Sequence, residues 1–171
     1  AAKHGHLDCL IYLHENGCEW GKNTCYDAAE NGHLDCLKYA HENGCDWGIN
    51  VCMYASKSGH LDCLKYAYEN GCERIKTCSE FQTKHLGCLI YLHENGCAWD
   101  KSMCSHFASG GHLDCLKYAH ENGCEWGDEP CEHAAANGHL NCLKYLHENG
   151  CKWSKETCQE AANCGHLDCL K

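Results

Sequence analysis

The stretch from His33 to Glu42 sets the pattern of the whole chain. At about 100° per residue, Asp35, Lys38, Tyr39 and Glu42 gather on one arc, while His33, Leu34, Cys36, Leu37, Ala40 and His41 fall on the opposite one. This predicts an amphipathic helix with a broad apolar stripe that includes both histidines. Asn43-Gly44 tolerate positive φ and close it. Just upstream, Thr24-Cys25-Tyr26-Asp27-Ala28-Ala29-Glu30-Asn31 predicts a shorter helix, with a Thr near its start and Gly32 where it must stop. On the polar arc, Asp35 lies three residues before Lys38 and Lys38 four before Glu42. That spacing predicts charge pairs of about 0.2–0.5 kcal/mol each.

The two-helix pattern repeats. His-Leu-x-Cys-Leu recurs with its His at 6, 33, 60, 85, 112, 139 and 166, at spacings of 27, 27, 25, 27, 27 and 27 residues. A fixed period in this range predicts a solenoid, in which each unit buries a face only against its neighbours. Residues 1–171 are therefore expected to form one array of about six 27-residue units with no internal boundary. Both ends fall inside a unit, so the array is expected to belong to a longer chain. The unit near 72–89 is irregular and two residues short. Arg74 stands there in place of a recurring Trp and Tyr68 in place of a recurring His, and Glu80-Phe81-Gln82-Thr83-Lys84 replaces the paired alanines and the Gly. A Phe81 where small residues recur predicts a splay or bend in the stack.

Ala28-Ala29-x-x-Gly32-His33-Leu34-x-x-Leu37-Lys38, followed by Glu42-Asn43-Gly44, resembles the ankyrin repeat, and the likeness recurs at Ala134-Ala135-x-x-Gly138-His139 and Ala161-Ala162-x-x-Gly165-His166. It covers nearly the whole chain. The resemblance implies an all-α solenoid of stacked helix-turn-helix repeats in which the alanines let first helices approach closely. The family's repeat usually has 33 residues. The shortfall here falls between Gly44 and Cys52, where the family carries a protruding hairpin, so shortened connections are expected. Thr-Pro-Leu-His is absent, Cys25, Cys52, Cys104, Cys131 and Cys158 taking its leucine place. The Gly-Cys-x-Trp that follows the second helix in every unit but the irregular one is similar to Cys- and Trp-rich ankyrin-type arrays of giant viruses and protists. The resemblance also implies that the His33 class hydrogen-bonds across the turn between helices. Trp20, Trp47, Trp99, Trp126 and Trp153 fall at a buried apolar place of the family, as core plugs whose indole N–H needs a partner.

Composition adds 20 Cys, 15 His and a net charge of −10 in 171 residues. Cys36, Cys45, Cys52 and their counterparts map, under the resemblance, to buried positions, where free Cys behaves as a small hydrophobe. The alternative is zinc. His-x3-Cys-x6-Cys is complete at His14/Cys18/Cys25, His41/Cys45/Cys52, His93/Cys97/Cys104, His120/Cys124/Cys131 and His147/Cys151/Cys158. Imidazole and thiolate suit zinc, although each set offers three ligands where a closed structural site has four. No cofactor is assigned, and zinc stays the rival reading. A third reading pairs Cys45 with Cys52 as a disulfide, which needs an oxidising compartment. No signal-peptide pattern opens the stretch, and the reducing cytoplasm is the expected setting.

Twenty near-equivalent cysteines single out no activated nucleophile, and no Gly-rich phosphate loop, metalloprotease helix or unique carboxylate pair occurs. No enzyme is expected. Charges mix along each helix and sum to an acidic total, which argues against nucleic acid, and no apolar run approaches a membrane span. What differs between repeats lies in the first helix. Asp27, Glu30 and Asn31 become Tyr54, Lys57 and Ser58, then His106, Ser109 and Gly110, then His133, Ala136 and Asn137, while Leu34–Glu42 returns unchanged at 113–121. In ankyrin-type proteins that row lines the concave face. Asp27, Asn31, Tyr54, Lys57, Ser58, His106, Ser109, His133 and Asn137 are therefore the candidate contacts for a protein partner.

Overall fold

The computed structural model describes residues 1–72, 77–78, 83–126 and 129–171, with Ile49 described by its backbone alone. Among these residues lie eleven α-helices: α1 (Leu7–Glu15), α2 (Thr24–Glu30), α3 (Leu34–Glu42), α4 (Ile49–Ser58), α5 (Leu61–Glu69), α6 (Leu86–Glu94), α7 (Met103–Ser109), α8 (Leu113–Glu121), α9 (Pro130–Ala136), α10 (Leu140–Glu148) and α11 (Lys155–Asn163). Short 3₁₀ turns occupy Ala2–His4 and Leu167–Leu170. The fold is an all-α solenoid of helix pairs. It divides into two compact units, Ala1–Cys97 and Ala98–Lys171.

In the first unit, the first helix α2 packs on α4 and on the turn Ala2–His4, while the second helices α1, α3, α5 and α6 pack in sequence. In the second unit, α7 packs on α9, α9 on α11, and α8 on α10. First helices approach one another more closely than second helices do. The cause is side-chain size, since Ala28, Ala29, Ala134 and Ala135 are wholly buried and leave little between the backbones. Leu37, Leu64, Leu89, Leu116 and Leu143 fill the space between rows. Full burial of each contributes about 1.5–3 kcal/mol.

Phe107 takes the place of Ala28 in α7 and is wholly buried there, so the stack accepts an aromatic ring at this position. Phe81 holds the equivalent place in the irregular unit. With Arg74, Glu80 and Gln82 it lies outside the described residues, as does the bend expected of it.

Each helix turn is closed by glycine. Gly32 has φ +74°, and the N–H groups of Gly32 and His33 donate to Ala29 and Ala28 carbonyls at 3.3 and 2.9 Å. The same kind of glycine has a second duty toward the next repeat. A Cβ on Gly5 would stand 2.6 Å from Nδ1 of His33, because that imidazole lies directly against the preceding turn. His33 Nε2 meets the Lys3 carbonyl at 3.2 Å, and His166 Nε2 the Ala136 carbonyl at 3.1 Å. The expected bond across the histidine's own turn is thus replaced by a bond to the preceding repeat. The expected Asp35–Lys38–Glu42 pairing is also redirected, since Lys38 Nζ sits 5.7 Å above the Tyr66 ring of the following repeat.

Candidate interaction surface and the joints between repeats

The variable first-helix residues divide by unit. In the first, Asp27 and Asn31 are half-buried, and Asn31 Nδ2 donates to the Asp27 carbonyl at 2.8 Å, which ties up one of the two. Lys57 is exposed and Ser58 half-buried. Tyr54 meets Tyr26 edge to face, with centroids 4.5 Å apart and planes at 84°. Together with Trp47 and Val51 these rings line a hollow of ≈ 400 Å³, with Lys22 and Asp46 at its edge. Desolvation first, then Glu30 and Tyr54 beside it, push the Tyr26 phenol up to about 12, so it remains a neutral donor. Tyr26 was not among the sequence candidates. Its place varies between repeats too, as Tyr26, Met53, Ser105 and Glu132, and that variation was the available signal.

In the second unit, His106, His133 and Asn137 are exposed and Ser109 is half-buried. The Asn137 amide donates to the His133 carbonyl at 2.9 Å and reaches Ser109 Oγ of the preceding repeat at 3.4 Å. The Asn137 and Ser109 side chains therefore meet between two repeats, while His133 contributes its backbone carbonyl.

The joints between repeats are aromatic. The His41 imidazole stacks on the Trp47 indole at 3.6 Å and 11°, and its Nδ1 lies 3.1 Å from the Tyr66 hydroxyl of the next repeat. His14/Trp20/Tyr39 and His120/Trp126/Tyr145 repeat the arrangement. The indole N–H finds its partner one repeat on: Trp20 donates to the Asn43 carbonyl and Trp99 to that of Asn122, both at 2.9 Å, and Trp126 to that of Asn149 at 3.4 Å. These tryptophans are half-buried edge residues, and Trp153 is 48% exposed, so the expectation of core plugs is corrected. Tyr68 shows how the irregular unit compensates. Its hydroxyl donates to the Asn95 carbonyl at 3.5 Å, the acceptor position that tryptophan satisfies elsewhere.

The cysteines meet in a register the spacing did not suggest. Cys25 lies with Cys45, its S–H donating to the Cys45 carbonyl at 3.8 Å, and the neighbouring Cys72 together with burial raises the Cys52 pKa. Cys78 donates to the Cys97 carbonyl at 3.4 Å. Cys104 with Cys124 and Cys131 with Cys151 stand sulfur to sulfur at 3.3 Å. The Cys25, Cys52, Cys104 and Cys131 pairs each join the first half of a first helix to the segment just after the second helix in the same repeat. The His41/Cys45/Cys52 set is accordingly not assembled: the imidazole belongs to Trp47 and Tyr66, and the two thiols belong to different pairs. Among the described residues no group of three His, Cys, Asp or Glu could hold a metal ion. The Cys45–Cys52 disulfide expectation fails on the same register. Cys36, Cys63, Cys88, Cys115 and Cys142 are buried, and desolvation pushes Cys88 and Cys142 up to about 11, so those two are protonated packing residues.

Family models for ankyrin repeats match residues 1–77, in a three-copy form, and residues 104–147, in a many-copy form. Together they span more than half of the sequence. The chain belongs to the ankyrin repeat family. Among solved structures, the human ASB11 ankyrin repeat domain aligns over 99% of this chain and 78% of its own length, with 19% identity and a TM-score of 0.45. No curated protein matches the sequence. Ankyrin repeats are generally protein-interaction scaffolds and typically non-enzymatic. Among the described residues, no helix of this ankyrin array is long and apolar enough to cross a membrane.

Proposed function

We propose that this ankyrin array is a scaffold whose protein partner docks along the first-helix row. One observation supports the reading: the exposed and half-buried places of the first helices carry different residues from repeat to repeat, whereas Leu34–Glu42 returns unchanged at 113–121. Stacking explains positions that stay the same. It does not explain why one row carries Tyr54 and Lys57 in one repeat, His106 in another and His133 in a third. Two features of the row favour binding. The Tyr26–Tyr54 pair with Trp47 and Val51 lines a hollow that mixes aromatic and apolar groups with Lys22, Asn23, Asp46 and Asn50, and the Ser109 and Asn137 side chains meet, with His133 exposed one turn before Asn137. Rigid aromatics and adaptable polar groups are the side chains that recur at protein contacts. In this reading the chain acts by binding, without chemistry of its own, in the reducing interior of a cell and without zinc.

The test is site-specific photo-crosslinking in cells. A benzophenone amino acid at Tyr54 or His106 should yield a discrete partner adduct, whereas the same group at exposed Lys65 or Lys144 on the second helices should not. Equal yields from the two rows would overturn the reading.

A further inference from the structure

We propose that the paired cysteines are oxidative cross-linking sites, and that Cys104–Cys124 and Cys131–Cys151 close to disulfides when the array meets a peroxide. The sulfurs of both pairs stand 3.3 Å apart, so closure to an S–S bond of about 2.05 Å needs a movement of about 1.3 Å. All four residues are buried, Cys104 at 0% and Cys151 at 6% exposure, so each sulfur's nearest reactive neighbour is its partner and not a foreign thiol. The same register, a cysteine in a first helix and one just after the second, recurs at Cys25/Cys45 and Cys52/Cys72, and Cys78 meets the Cys97 carbonyl at the same sequence spacing, within one residue. Recurrence at one helix-pair geometry makes the proximity a property of the repeat.

The hydrogen bond inside a pair also divides the labour. The Cys104 S–H donates to the Cys124 sulfur, which lowers the Cys124 pKa, while Cys104 itself is held protonated by that bond and by burial. One member is thus the better thiolate and the other the proton carrier. The Cys124 thiolate attacks one oxygen of hydrogen peroxide. The O–O bond breaks, an S–O bond forms, and hydroxide leaves and takes up the proton that Cys124 released on ionising to become water, giving a sulfenic acid. The Cys104 sulfur then attacks the Cys124 sulfur. The S–S bond forms as the S–O bond breaks, and the departing hydroxide takes the Cys104 proton as a second water. Two thiols lose two electrons and the peroxide is reduced to two waters. The product ties α7 to the segment just after α8, and its counterpart ties α9 to the segment just after α10. Each helix pair becomes a covalent loop, so the oxidised array resists unfolding more than the reduced one.

The experiment uses the full chain, reduced and then freed of reductant, with exposed Cys9, Cys18, Cys158 and Cys164 alkylated under native conditions. Hydrogen peroxide is added, remaining thiols are trapped with a second alkylating reagent after unfolding, and non-reduced peptides are mapped by mass. Peptides linked 104–124 and 131–151 are expected, each lighter by two hydrogens and each released by dithiothreitol. Cys88 and Cys142, as deeply buried but with no cysteine partner among the described residues, should be trapped as thiols. Cys104→Ser should remove the first link and keep the second, and the second link reports in the same sample that the unit is still folded. The proposal is overturned if the four thiols stay reduced. It is equally overturned if they gain oxygen without cross-linking, or if Cys88 and Cys142 are consumed at the same rate.

Discussion

Ser56 offers a substitution whose sign runs against the usual direction of core mutations. It stands in α4 where the array elsewhere puts the second alanine of the pair, and it is wholly buried. Its hydroxyl has no hydrogen-bond partner among the described residues. A buried hydroxyl left unpaired costs about 1–3 kcal/mol. Serine also has a poorer helix propensity than alanine, by roughly 0.5 kcal/mol. Against these gains, Ser56→Ala gives up the dispersion contacts of one oxygen atom, at about 0.1–0.2 kcal/mol per neighbouring atom. The bond from Thr83 Oγ1 to residue 56, at 3.0 Å, goes to the backbone carbonyl and survives the change. The net expectation is a stabilisation of about 1–2 kcal/mol. In a chain of this size it raises the thermal midpoint by about 2–4 °C per kcal/mol. Thermal and urea melts under reductant measure it, and the mirror substitution Ala135→Ser, at a wholly buried alanine of α9, should lower stability by a similar amount. A Ser56→Ala chain that melts at or below the parent would refute the reasoning, as would a neutral Ala135→Ser.

Other consequences follow from the turns and the buried thiols. Gly138→Ala imposes a Cβ at φ +73° and 2.6 Å from His166 Nδ1, whereas Gly123→Ala meets open space at φ +88°. The second should cost only the backbone strain of about 1–2 kcal/mol, and the first distinctly more, because it displaces the His166 ring from the Ala136 carbonyl. Melting curves of the two variants read the order. Cys88→Ser should cost about 1–3 kcal/mol, because it buries a hydroxyl, while Cys9→Ser, at the same place of the repeat but exposed, should leave the urea midpoint unchanged. The Cys88 and Cys142 thiols are raised from 9.0 to about 11, so the folded chain holds their protons more tightly than the unfolded one. Their contribution is fully present below pH 9.0 and is lost as pH rises through about 11. A urea midpoint that fails to fall over that window would contradict the assignment.

The helices and their ends were legible because they depend on neighbours in the sequence. Ala28-Ala29, Gly32 and Asn43-Gly44 act within one repeat, and α2 and α3 form where those residues place them. Contacts between chemistry-bearing residues were not legible, and the period itself is the reason. In an array that repeats every 27 residues, Cys45 recurs in identical relation to Cys25 and to Cys52, and only the path of the backbone decides which sulfur it meets. Closeness in sequence pointed to Cys52, and the helix pair folds it onto Cys25. The same ambiguity hid the histidine partners. In the rival zinc reading His41 is a ligand beside Cys45, yet its ring lies on Trp47 and reaches Tyr66 in the next repeat. Tyr68 read as a lost histidine and proves to satisfy the acceptor that a tryptophan satisfies elsewhere. At the surface, variation between repeats was the signal for the first-helix row, and it did not show that Asn137 meets Ser109 or that Tyr26 lies against Tyr54.

The claim that the first-helix row binds the partner is tested most directly by one affinity. With the cross-linked partner identified and purified, its Kd is measured for the parent chain and for the chain with Tyr54, Lys57, His106 and His133 all changed to alanine. Recognition through the row predicts an affinity at least about tenfold weaker, roughly 1.4 kcal/mol, with the thermal midpoint unchanged. An unaltered Kd would contradict it.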